Sequence, residues 1–74
     1  MIDKVKNVLL DALNLEFISD DAKQADYAEW DSLAYLRVIS ALEEEFGIVI
    51  TAENIDHFNS ISSIIDEIEK WQKQ

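Results

Sequence analysis

The chain has 74 residues and no cysteine, so it has room for a single domain, residues 1–74, and excludes a disulfide framework and a thiolate metal site. Sixteen acidic and six basic residues leave a net charge of −10, which disfavours nucleic-acid and membrane partners and favours proteins with basic surfaces. The first ten residues do not resemble a signal peptide and no stretch is apolar enough to cross a bilayer, so we expect a cytoplasmic protein.

The first predicted element is an amphipathic helix over roughly residues 2 to 14. Its apolar residues recur every three or four positions and so share one face: Ile2, Val5, Val8, Leu9, Ala12 and Leu13. From Asn14 to Asp31 this pattern breaks down, which predicts a long loop with room for one short helical turn. The apolar anchors of the loop are Phe17, Ile18 and Tyr27. A loop of this length in so small a domain indicates a functional segment.

A second helix is predicted over residues 32 to 46. Asp31 or Ser32 can cap its N-terminus, and Gly47 can adopt the left-handed backbone that often follows a helix. The apolar stripe of this helix consists of Leu36, Ile39, Leu42 and Phe46. The segment 48–50 has no second apolar run to pair with, so it predicts a connector that buries Ile48 and Ile50 rather than a strand.

The last part of the chain predicts a short third helix over residues 51 to 57, capped by Thr51, and a fourth helix capped by Ser60. The apolar face of the fourth helix consists of Ile61, Ile64, Ile65, Ile68 and Trp71. Four amphipathic segments without proline predict an all-α protein built as a small helical bundle.

The segment Trp30-Asp31-Ser32-Leu33, followed by the acidic end of the second helix at 43–45, resembles the modification motif and recognition helix of the acyl carrier protein family. The match at Asp31, Ser32 and Leu33 is short, but the order and spacing of the surrounding helices match the family over nearly the whole chain. The resemblance implies an antiparallel four-helix bundle with a short third helix and a long loop between helices one and two. It also implies a covalent 4′-phosphopantetheine arm on Ser32, beside Asp31 and Leu33.

The position of Ser32 also suits such an arm on physical grounds. A phosphodiester on Ser32 would lie at the positive end of the second helix, near free backbone N–H groups. The arm would extend from an exposed junction of loop and helix rather than from the core. Because Asp and Ser are also ordinary helix caps, one alternative stays open: an acidic helical interaction module that is never modified.

A partner-binding surface is expected on the second helix. Four residues share the face that points away from its apolar stripe: Leu33, Arg37, Ser40 and Glu44. In similar carriers, acids of this face and of the third helix contact partner enzymes, which corresponds here to Glu43, Glu44, Glu53 and Asp56. Arg37 departs from the pattern of many fatty-acid carriers, which have an acid at that position. This departure, with Ala34 and Trp30, favours a carrier of a specialised pathway.

The resemblance implies a carrier without catalytic residues, which acts as a monomer. Its implied partners are a phosphopantetheinyl transferase, an acyl- or aminoacyl-activating ligase, and a downstream acyltransferase or synthase. The arm would hold acyl or aminoacyl intermediates as thioesters. Bulky side chains at Ile55, Phe58 and Ile64 predict a full core, so we expect a short or polar cargo that stays outside it.

Two other kinds of site are disfavoured by their residue patterns. His57 is the one histidine, but no Gly-x-Ser-x-Gly turn surrounds Ser32, as a serine hydrolase would require. Asp20, Asp21 and Asp26 lack the alternation and the central glycine of a calcium loop. We therefore expect no dedicated metal site.

Overall fold

The computed structural model describes residues 1–73. This part of the chain holds three α-helices and two 3₁₀ helices, which confirms the predicted all-α class. The helices are α1 (Ile2–Leu13), the first 3₁₀ helix (Gln24–Asp26), α2 (Ser32–Phe46), the second 3₁₀ helix (Ile55–His57) and α3 (Ile61–Gln72). The predicted first, second and fourth helices thus correspond to α1, α2 and α3.

The short third helix predicted over residues 51 to 57 is present only as a turn followed by the second 3₁₀ helix. The Asn54 side-chain oxygen accepts hydrogen bonds from the Thr51 backbone N–H, at 2.9 Å, and from the Thr51 hydroxyl, at 3.3 Å. The Glu53 N–H donates in turn to the Thr51 hydroxyl at 3.3 Å. These reciprocal contacts resemble a capping box, so Thr51 caps this turn as predicted.

α1 and α2 pack side by side in antiparallel orientation. Near one end of the pair, Lys4 lies 3.9 Å from the Glu45 carboxylate and 5.4 Å from the centre of the Phe46 ring. Near the other end, Arg37 Nε donates to the Ala12 carbonyl at 3.3 Å. The start of α1 therefore meets the end of α2, and the end of α1 meets the first half of α2.

The buried face of α2 is rotated relative to the predicted stripe. Its buried side chains are Ala34, Val38, Ile39 and Leu42, whereas Leu36 is 54% exposed. Each helical residue advances by about 100°, so Leu36 lies about 130° from the centre of this buried arc. The predicted core position of Leu36 is wrong because α2 packs on the core through the side that carries Ala34, Val38 and Leu42.

α3 contributes Ile61, Ile64 and Ile68 to the core, as predicted. Trp71 follows the same periodicity and is 38% exposed. All residues from 69 to 73 are exposed, because the last turn of α3 extends past the core.

The segment between α1 and α2 is tied to the start of α3. The Gln24 N–H donates to the Asn59 carbonyl at 2.8 Å, and the Ile61 N–H donates to the Ala22 carbonyl at 3.1 Å. Ile18 is buried as predicted, but the predicted anchor Phe17 is 77% exposed. Neighbouring residues of an irregular, extended segment point to opposite sides, so only one member of this pair can reach the core.

Candidate functional site

Ser32 is the first residue of α2, and it is exposed. The sequence left two candidates for the cap of this helix, and the structure assigns the cap to Asp31. The Asp31 carboxylate accepts the Ala34 N–H at 2.9 Å, and the Asp31 carbonyl accepts the Tyr35 N–H at 2.8 Å. The Ser32 hydroxyl therefore points out from the helix start without serving as its cap.

The helix start provides a positive electrostatic environment around Ser32. The first N–H groups of a helix have no acceptor within the helix, and the helix dipole places partial positive charge there. Asp31 occupies the Ala34 N–H, which leaves the N–H groups of Ser32 and Leu33 directed toward solvent. An anionic group on the Ser32 hydroxyl would be stabilised by this end of the helix.

A polar depression of about 270 Å³ lies beside Ser32. It is lined by Gln24, Ser32, Tyr35, Asp56 and Asn59. Asp56 thus lies close to the serine, although it belongs to a different element. This brings together two residues that the sequence assigned to the site, Ser32 and Asp56.

Tyr35 was not singled out in the sequence, yet it fixes the second 3₁₀ helix beside Ser32. Its hydroxyl donates to the Ile55 carbonyl and accepts the Phe58 N–H at 3.0 Å. Burial raises the pKa of the Tyr35 hydroxyl above its usual value, and the nearby Asp56 charge acts in the same direction. The hydroxyl therefore stays protonated and keeps both contacts. Its signal in the sequence is a single polar aromatic residue within the apolar face of a helix.

The expected partner face of α2 is exposed. Leu33 is 71% exposed, and Ser40 and Glu44 lie on the same side in contact with solvent. Arg37 and Glu43 lie at opposite edges of this face, and both have partners within the chain. Arg37 bonds to the end of α1, while a Glu43 carboxylate oxygen accepts the Ile50 N–H at 2.9 Å.

Glu53 and Asp56 are both exposed. Asp56 belongs to the second 3₁₀ helix, and Glu53 lies in the turn before it. The adjacent His57 has its Nδ1 atom 2.7 Å from a carboxylate oxygen of Glu67, which ties the second 3₁₀ helix to α3. His57 is thus engaged in a structural contact away from Ser32.

The interior is occupied much as the sequence indicated. Phe58 and Ile64 are fully buried, and Ile55 packs against the core while remaining half-buried. Ile48 is buried and Ile50 is half-buried, so the connector before the second 3₁₀ helix buries only the first of the two residues fully.

Trp30, next to the proposed site, is the largest fully buried side chain and is 2% exposed. The sequence placed it in a motif and not in the core. Its indole N–H finds no acceptor within residues 1–73. A buried donor without a partner costs about 1–3 kcal/mol. The Trp30 indole N–H therefore lowers the stability of the fold next to Ser32.

Within residues 1–73, no cluster of histidine, aspartate or glutamate side chains is arranged to hold a metal ion. None of the helices in this part of the chain is long and apolar enough to span a membrane.

Comparisons with known proteins show which family the chain resembles. The family model described as a phosphopantetheine attachment site matches residues 3–68. The chain is 36% identical over 70 residues to the acyl carrier protein of Solidesulfovibrio magneticus, a match that covers 92% of this chain and 90% of that protein. It is also 36% identical over 70 residues to an acyl carrier protein of Buchnera aphidicola, covering 92% and 88%. The acyl carrier protein of Thermosynechococcus vestitus is 33% identical over 70 residues, covering 92% and 86%.

Proposed function

Because the chain belongs to the acyl carrier protein family, we propose that Ser32 bears its 4′-phosphopantetheine arm and that the arm presents acyl or aminoacyl thioesters to partner enzymes. Proteins of this family are carriers rather than catalysts. The phosphopantetheine-attachment domain takes its arm covalently on a serine. The chain therefore has an acyl carrier role, and the proposal concerns which serine, which cargo and which partners it uses.

The observation that carries this proposal is the free, exposed Ser32 hydroxyl one position after the cap of α2. The other serines are less suitable as attachment sites. The hydroxyls of Ser19, Ser60 and Ser63 are engaged in hydrogen bonds within the chain. Ser40 and Ser62 lie inside helices rather than at their first position. When bound, the arm supplies a terminal thiol for thioester formation, while the chain holds its phosphate at a helix start.

We propose that partner enzymes dock on the exposed face of α2. Leu33 offers an exposed apolar side chain directly after the attachment site, which fits a pocket on a partner. The surrounding charges are mostly negative, in keeping with the net charge of −10, and they favour partners with basic surfaces. The proposed docking residues are Leu33, Arg37, Ser40, Glu43, Glu44, Glu53 and Asp56.

Proteins of this family interact with a phosphopantetheinyl transferase and with synthase or acyltransferase enzymes. For this chain we propose in addition an acyl- or aminoacyl-activating ligase, because Arg37 makes its docking face unlike an all-acidic one. We propose a cytoplasmic monomer in which the second 3₁₀ helix takes the place of the short third helix of a four-helix bundle. The cargo is short or polar, since Phe58 and Ile64 fill the interior.

The test is intact-mass measurement after incubation with coenzyme A and a promiscuous phosphopantetheinyl transferase. We expect one phosphopantetheine group on the wild type and on Ser62→Ala, the matched control at an exposed serine. Ser32→Ala should gain no mass. A modified Ser32→Ala chain would place the arm elsewhere, and an unmodified wild type would support an interaction module that carries no arm.

A further inference from the structure

The buried Trp30 indole is the one side-chain group within residues 1–73 whose buried polar atom has no hydrogen-bond partner. Buried indole N–H groups usually find an acceptor. Trp30 is two residues before Ser32, so the Cα atoms of the two residues are at most about 7 Å apart. An acceptor that is attached at Ser32 is therefore within easy reach of this group.

Trp30 lines a surface depression of about 560 Å³. The rest of its lining consists of Lys23, Gln24, Ala25, Asn59 and Ser60. The two chain segments that form it are joined by the backbone hydrogen bond from Gln24 to Asn59, at 2.8 Å, and by the bridge between Lys23 and Ser60. The depression is thus a built feature of the fold, and a flexible loop does not form it alone.

This depression continues into the smaller one beside Ser32, because Gln24 and Asn59 line both. The two depressions therefore adjoin at Gln24 and Asn59, between Ser32 and Trp30. A flexible chain attached to Ser32 can follow this path without entering the core.

We propose that the depression over Trp30 is a docking site for the phosphopantetheine arm, with the Trp30 indole N–H donating to an amide carbonyl of the arm. This rests on the proposed attachment at Ser32. The arm fits because it is a polar chain with carbonyl acceptors, and the lining supplies further donors from Lys23, Gln24 and Asn59. The indole nitrogen itself is covered, so docking requires the side chains over it to move aside.

Docking would give the carrier a resting position for its arm in the depression over Trp30. An arm held by one net hydrogen bond is docked roughly fivefold more often than it is free. Such a weak contact protects the arm between partners and still releases it to an enzyme.

The experiment compares the full-length chain before and after modification by NMR, with the indole N–H of Trp71 as an internal control. We expect the Trp30 indole resonance to shift on modification, the Trp71 resonance to stay in place, and nuclear Overhauser contacts to link the Trp30 indole proton to the arm. Trp30→Phe keeps a buried ring without the donor, and it should lower the ratio of docked to free arm roughly fivefold. Should Trp30→Phe fail to fold, Ala25→Trp fills the depression from its exposed edge and must abolish the same contacts.

Intact mass separates the two proposals. A chain that gains no arm at Ser32 contradicts the proposed function. A chain that gains the arm, yet shows an unmoved Trp30 indole resonance or no contact between it and the arm, overturns the docking site alone. The docking site is also overturned if the Trp30 indole N–H donates to Gln24 or Asn59 both before and after modification.

Discussion

α2 and α3 both begin next to a serine, but the two serines are placed differently. At the start of α2, Asp31 is the cap and Ser32 is the first helical residue. At the start of α3, Ser60 is itself the cap, and its hydroxyl oxygen accepts the Ser63 N–H at 3.1 Å. A serine one position after the cap has the positive end of the helix beside it while its own hydroxyl stays free. This difference separates the proposed attachment site from a structural serine.

The starts of α2 and α3 are also held in place by different kinds of contact. Tyr35, in the first turn of α2, holds the second 3₁₀ helix through its hydroxyl. The start of α3 is held by backbone hydrogen bonds to residues 22–24. The hydrogen bonds between the start of α2 and the second 3₁₀ helix therefore depend on a single side chain and can be removed by one substitution. The backbone hydrogen bonds at the start of α3 cannot be removed in this way.

The largest expected effect sets the two serines directly against each other. Ser32→Ala should abolish phosphopantetheine attachment, while its free energy of unfolding should stay within about 0.5 kcal/mol of the wild type, as for other exposed substitutions. Intact mass and urea denaturation measure the two effects. A large loss of stability would mean that Ser32 has a structural role, and the comparison with Ser60 would break down.

Tyr35→Phe should remove the hydrogen bonds that hold the second 3₁₀ helix beside Ser32. It leaves the Ile55 carbonyl and the Phe58 N–H without the tyrosine hydroxyl, so we expect a loss of about 2 kcal/mol in the free energy of unfolding. The raised pKa of Tyr35 predicts a pH dependence too. Because the neutral form is favoured in the folded state, its contribution is fully present below about pH 10 and is lost as the pH rises through the raised pKa of the folded chain.

Denaturation of wild type and Tyr35→Phe between pH 8 and roughly pH 11 checks this. The difference in stability between the two should shrink as the pH rises. A difference that stays constant would show that the hydroxyl does not titrate as a hydrogen-bonded, partly buried group.

Ser60→Ala should give the reverse of Ser32→Ala. Loss of the cap removes the hydrogen bond to the Ser63 N–H and should cost about 1 kcal/mol, while attachment of the arm remains complete. Asp31→Ala is the matched variant at α2, with a similar loss of stability. If Asp31→Ala were neutral while Ser60→Ala was costly, the start of α2 would not depend on its cap.

The sequence predicted where α2 and α3 begin, but it did not predict the contacts that hold these helix starts in place. The periodic apolar residues predicted three helices with bounds close to those of the structure. Ser60 was recognised as a cap, and Asp31 as one of two candidates, because these residue types favour that position. The burial of Leu36 and Phe17 was predicted wrongly. Apolar character alone does not reveal how a helix is rotated against its neighbours or where it extends past them.

The features missed near Ser32 depend on contacts between distant parts of the chain. Tyr35 bonds to residues more than twenty positions away, and the depression over Trp30 needs the segments around Gln24 and Asn59 to meet. No local sequence pattern indicates that such distant segments contact each other. The placement of Ser32 was predictable because it depends only on its own helix start.

The smallest stability loss expected from removing a contact concerns Arg37, at the edge of the α2 face nearest α1. Its guanidinium contacts the Ala12 carbonyl at the end of α1, where a positive charge is favoured by the helix dipole, so Arg37→Glu should cost only about 0.5 kcal/mol. Its effect on partners should be clearer, because the reversal makes the docking face more uniformly acidic and removes a charge that repels enzymes built for acidic carriers. Loading rates of wild type, Arg37→Gln and Arg37→Glu by a fatty-acid synthase enzyme measure this. We expect the rates to rise in that order, with the glutamine variant separating loss of the positive charge from gain of a negative one. Equal rates for all three would mean that Arg37 serves the end of α1 alone and does not select partners.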